Sequence, residues 1–140
     1  MIKFNLTYEY LIERELSDKL TIIKTENLHI IQECINLFNS EIVWDKMFTV
    51  NDSIYRIQNG DKLFVGYYDN IIFGYLWLKK YNNIFQIYNV FSKNTTFKRE
   101  YGATDMLYYV IKNYTSGTIV SEVDEWNIRS INVFNKLGFK

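Results

Sequence analysis

Proline is absent from this 140-residue chain, cysteine and histidine occur once each, glycine six times, and acidic and basic residues cancel. A single cysteine, Cys34, cannot close an internal disulfide, which fits a reducing compartment; a cytoplasmic location is the expectation. With His29 the only histidine, no His/Cys/Asp spacing forms a metal set and no Ser–His pair suggests a hydrolase. A formal net charge of zero leaves no bulk field to draw the protein to phosphate backbones or anionic membranes. Neither nucleic acid nor membrane is therefore an expected partner, and the basic pair Lys98-Arg99 is the one local patch to weigh. The opening Met1-Ile2-Lys3-Phe4-Asn5 lacks a long apolar run, and no stretch approaches the ~20 apolar residues of a membrane span. The missing proline excludes no class of function.

What the chain does have is a core. Its hydrophobic fraction of 48% and aromatic fraction of 18% argue against disorder. At 140 residues it is expected to form one domain with an extra N-terminal segment over residues 1–18. There Phe4, Leu6, Tyr8 and Tyr10 alternate like a strand, while Tyr8, Leu11, Ile12, Glu15 and Leu16 space like a helix. A helix over about 7–19 is the reading adopted.

Residues 20–25 read as a strand. A helix starting at Thr25 or Glu26 follows, with Leu28, Ile31, Ile35 and Phe38 on one side, ending at Asn39-Ser40. His29 is expected at a core edge and Cys34 inside. Residues 41–47 look irregular, and Asn51-Asp52-Ser53 starts a short helix through Ile57. Three strands come next, over 62–68, 71–79 and 84–91. They are joined by turns of Asp69-Asn70 and Tyr81-Asn82-Asn83, the chemistry of tight antiparallel hairpins. A polar loop, a helix over about 102–114 and a strand over 118–123 complete the middle. In the last helix Ile128, Ile131, Phe134 and Leu137 form one face, with Asn127 at the N-cap and Gly138 at the αL terminus. The aromatics Tyr67, Tyr68, Phe73, Tyr75 and Trp77 read as core and sheet surface, Tyr68 or Trp77 alternatively as a pocket wall.

This order gives an α/β (α+β) fold: a mixed sheet with an antiparallel meander, then a parallel βα unit, with helices on both faces. Its last unit, with Val123, Asn127, Ser130, Phe134 and Leu137-Gly138-Phe139, resembles the final segment of the GNAT superfamily of N-acetyltransferases. Arg99-Glu100-Tyr101-Gly102-Ala103-Thr104 is similar to the family's phosphate-binding turn, Arg or Gln, two residues, Gly, one residue, Gly or Ala. Thr104 departs from it at the last position.

The resemblance implies an N-acetyltransferase moving an acetyl group from acetyl-CoA to an amine, small molecule or protein. Arg99, Gly102, Ala103 and Thr104 would then hold the pyrophosphate, where helix N–H groups and the dipole end favour an anion. Amides at Val90, Phe91 or Ser92 would hold the thioester oxyanion, and Asn127 would lie near the pantetheine arm. The family's proton-donating tyrosine falls at Phe134, which cannot donate, so either Tyr108, Tyr109 or water protonates the thiolate or the thiolate leaves unaided. Glu122 is the candidate base, with Asp124, Glu41 and Asp45 as others. The rival reading is a catalytically inactive GNAT-like module that binds a protein partner or serves a structural role.

Relatives continue past Gly-Phe with two further strands, so an uncovered sheet edge is expected here. It would reflect truncation, dimerise with a second copy, or be covered by the N-terminal segment.

Overall fold

The computed structural model describes residues 1–41, 48–93 and 102–140. Six strands form one sheet: β1 (Ile2–Thr7), β2 (Leu20–Thr25), β3 (Lys62–Tyr68), β4 (Ile71–Tyr81), β5 (Ile84–Ser92) and β6 (Thr118–Val123). Their spatial order is β1-β6-β5-β4-β3-β2, antiparallel throughout except for the parallel pair β5 and β6. Four helices are α1 (Leu28–Glu41), α2 (Val50–Gln58), α3 (Ala103–Tyr114) and α4 (Ile128–Leu137). This is the mixed sheet expected from the sequence, with one strand more.

The meander forms for the reason its turns suggest. Asp69 and Asn70 take φ of 51° and 65°, Asn82 and Asn83 take 47° and 66°, the paired left-handed conformation of a two-residue hairpin. Tyr81 belongs to β4, so the second turn is two residues long. One face of the sheet packs Phe64, Leu76, Ile87 and Ile119 against Leu107 and Ile111 of α3 and Phe134 and Leu137 of α4. The other packs Leu63, Val65, Tyr75 and Trp77 against Ile31, Cys34 and Phe38 of α1.

Three expectations need correction. Residues 7–19 hold no α-helix: β1 ends at Thr7, a single 3₁₀ turn spans Tyr8–Tyr10, and an irregular strap follows. The helical spacing of Leu11 and Leu16 serves this strap, which lays both side chains on the core. Its backbone is tied to α4 by the Ile12 N–H, donated to the Leu137 carbonyl at 3.0 Å. Second, α1 starts at Leu28, because the Asn27 carboxamide caps it by accepting from the His29 and Ile30 N–H groups. His29 stands on the exposed side of that helix beside Glu33, not at a core edge.

Third, β6 is not an edge. β1 pairs with it antiparallel over its whole length, from Ile2 opposite Val123 to Thr7 opposite Thr118. Asn5 and Lys140 exchange both backbone hydrogen bonds at 2.8 Å on the outer side of β1. Of the three arrangements open in the sequence, the N-terminal segment covering β6 is the one observed. Gly138 closes this corner: its φ is 102°, and a Cβ there would lie 2.7 Å from the Tyr10 carbonyl oxygen.

Cys34 is fully buried, and burial pushes its thiol up to about 12. At pH 8 the reactive thiolate is then only about one part in ten thousand. A thiol-titrating disulfide reagent is expected to leave the native protein untouched and to react with one equivalent after denaturation.

Candidate functional site

β5 and β6 pair over only three positions, Ile84 with Thr118, Phe85 with Ile119 and Gln86 with Val120. Just beyond, the buried Ser121 hydroxyl donates to the Ile87 carbonyl at 2.9 Å, a side chain in place of a backbone rung. From there β5 stays with β4 and β6 stays with β1, so the sheet opens between them.

β5 also carries a bulge at the opening. Tyr88 faces Trp77 and Phe91 faces Tyr75, so Asn89 and Val90 oppose the single residue Leu76, with Asn89 at φ 49°. The extra residue reverses the side-chain alternation: Ile87 and Val90 join the α3/α4 core, Tyr88 and Phe91 the α1 core. A bulge leaves ladder groups unpaired and re-aims its neighbours. The close approach needs Gly74, whose missing Cβ would sit 2.4 Å from the Phe91 carbonyl oxygen.

At the mouth of the opening lies a cavity of about 410 Å³, lined by Ser92, Gly102, Ala103 and Thr104 with charged residues of the strap and of α4. Gly102 is the N-cap of α3, contributes no side-chain cap, and has extended backbone that any residue adopts. The Arg14, Arg129 and Lys136 cations outnumber the Glu15 and Asp105 carboxylates lining the same space. Asp105 already occupies part of the anion position. Burial pushes its carboxyl up, while Arg14 (3.0 Å) and the N–H groups of Gly102 and Asp105 oppose this. Ala103 and Thr104 keep first-turn N–H groups with no acceptor among the described residues. These donors and cations fit a diphosphate.

The remaining expected site residues are distributed as follows. Arg99 and Asp45 lie outside the described residues, as does the Glu41 side chain. Asn127 caps α4, its side chain accepting from the Ser130 N–H at 3.2 Å. The Ser92 hydroxyl lies 3.5 Å from the Arg129 guanidinium. Tyr108 does not line the cavity: its hydroxyl donates to Glu13 at 2.5 Å and accepts from Lys112 at 3.1 Å. That hydrogen bond, with Lys112 behind it, holds the Glu13 carboxyl below its ordinary value. Glu122 is exposed, opposite Lys3 in the β1–β6 ladder. Phe134 is buried, stacked on Phe4 at 5.5 Å and edge-on to Phe139 at 5.0 Å.

Phe134→Tyr therefore places a hydroxyl against aromatic core, not into the cavity. We expect a loss of about 1–3 kcal/mol in denaturant unfolding and no gain in any thiol-releasing activity.

The sequence reading missed Arg14, Arg129, Lys136 and Ser121. The spacing of Arg129, Asn132 and Lys136 on α4 was a readable signal for one polar face. Arg14 was hidden by the helical expectation for its segment. Nothing in the sequence marks Ser121 or the bulge.

No family profile matches the sequence, and no curated protein matches it. Solved structures do. A GCN5-related N-acetyltransferase from Kribbella flavida superposes with a TM-score of 0.63 at 7% identity, covering 99% of this chain and 52% of that one. The protein thus spans about half the length of that relative. An aminoglycoside acetyltransferase from an uncultured soil metagenomic sample gives 0.62 at 16% identity, covering 89% of this chain and 90% of that one. An acetyltransferase from Streptococcus agalactiae gives 0.59 at 18%, covering 89% and 85%. At such identities the likeness is one of fold, and the fold is GNAT. Among the described residues no helix is long and apolar enough to cross a membrane.

Proposed function

We propose that the protein is an N-acyltransferase that moves an acetyl group from acetyl-CoA to an amine by direct attack on the thioester. The observation that carries this is the junction of a split β5–β6 sheet, a bulge on β5 and a basic, amide-lined cavity at the start of α3.

In this reading Ala103 and Thr104 amides, with Arg14, Arg129 and Lys136, hold the diphosphate. The arm runs past Asn127 into the opening. A backbone N–H at Val90, Phe91 or Ser92 faces the thioester oxygen. The amine nitrogen attacks the carbonyl carbon, the oxyanion collapses, the C–S bond breaks and the thiolate leaves. Positioning supplies much of the rate. The amine's proton passes to solvent or to Glu122. With Tyr108 bonded to Glu13 and Lys112, and Phe134 in the core, water protonates the thiolate.

Those two placements also favour the second reading, a GNAT-fold module that binds coenzyme or partner without turnover. Free-thiol release from acetyl-CoA, followed with a panel of primary amines, separates them. Amine-dependent release supports the enzyme; binding of acetyl-CoA with no release by any amine supports the module.

A further inference from the structure

On the opposite face of the sheet a second cavity, of about 760 Å³, is lined by Arg56, Asp61 and Tyr88 at the end of α2. The Arg56 guanidinium is wedged among three rings, 5.2 Å from the Phe48 centroid, 5.1 Å from Trp77 and 5.1 Å from Tyr88. Among the described residues it has no ion pair, and its Nη1 is buried with no hydrogen-bond partner. The neighbouring Trp77 is fully buried, and its Nε1 is likewise unpartnered.

Two buried donors without an acceptor, on side chains in contact with each other, are costly in an otherwise well-paired interior. The nearby carboxylates do not relieve them: Asp61, buried, is bonded by the Tyr88 hydroxyl, and Asp52 accepts from the Thr49 N–H at 2.8 Å. Burial and that bond raise the Tyr88 phenol, so it stays a donor. Cation–π contact orients the guanidinium but supplies no hydrogen-bond acceptor. A planar anion does, since a carboxylate accepts from Arg in a fork geometry and from an indole N–H as well.

We propose that this cavity binds a carboxylate at Arg56, the lining residue, with Arg56 Nη1 and the Trp77 Nε1 buried behind it as the donors that receive it. Tyr88 stands immediately before the β5 bulge, so a molecule anchored here reaches toward Val90. Resting on the acyl-transfer reading, the ligand is the acceptor, an amine that also carries a carboxylate.

The test is independent of coenzyme. The indole N–H resonance of Trp77, assigned by its loss in Trp77→Phe, is followed while acetate, acetamide or chloride is added to about 100 mM, well above a millimolar dissociation constant. A saturable downfield shift with acetate alone, abolished in Arg56→Gln, is expected. No saturable shift in the wild type, or equal shifts with acetamide or chloride, would overturn the proposal whether or not Arg56→Gln folds. If acetate binds but no amine releases thiol, the site stands and the acyl-transfer reading falls.

Discussion

Gly74→Ala is expected to lower stability by about 3 kcal/mol, at the upper end for overpacking, because the clash is with backbone. The added Cβ would meet the Phe91 carbonyl oxygen at 2.4 Å and the Ser92 Cα at 3.1 Å. A flexible side chain could swing away; a strand can relieve this only by moving. The melting temperature should fall on the order of 10 °C. The displaced strand is the one that carries the bulge, so any coenzyme affinity should fall with it. Gly66→Ala gives the contrast. Its Cβ would meet side-chain atoms of Phe73 at 2.8 Å and of Met106 at 3.1 Å, which rotamer changes can accommodate at smaller cost.

Gly102→Glu is expected to abolish coenzyme binding while leaving the fold intact. Gly102 lines the cavity and has extended backbone that any residue adopts, so the new side chain is tolerated conformationally. It would bring a second carboxylate to a helix start where Asp105 already sits, and fill space reserved for phosphate. In wild type, acetyl-CoA at 100 times its dissociation constant should add about 2.7 kcal/mol of stability. In the variant that increment should vanish, with far-ultraviolet circular dichroism unchanged. A variant that retained it would remove the phosphate turn from this account.

Local chemistry made much of this architecture legible. Asp69-Asn70 and Asn82-Asn83 announce their hairpins because consecutive left-handed residues demand such side chains. Asn127 and Gly138 bracket α4 by capping physics, with Gly138 at φ 102°. What stayed hidden is what long-range pairing decides. The pairing of Ile2–Thr7 with β6, more than 100 positions away, is invisible to any window on the sequence. It made residues 7–19 a strap where spacing alone suggested a helix. It also brought Phe4 onto Phe134, and so turned the position of an expected proton donor into core. The bulge escaped for a similar reason. Asn89 and Val90 continue a strand-like run, and their mismatch appears only against Leu76 on β4.

The most direct measurement is an amide titration: ¹⁵N-labelled protein with added coenzyme A, each backbone N–H followed separately. The expected result is large, saturable shifts at Ala103 and Thr104, with smaller ones from Val90 to Ser92 along the opening. Amides at the start of α3 that stay still while the ligand binds elsewhere, or no saturable shift at all, would contradict the account.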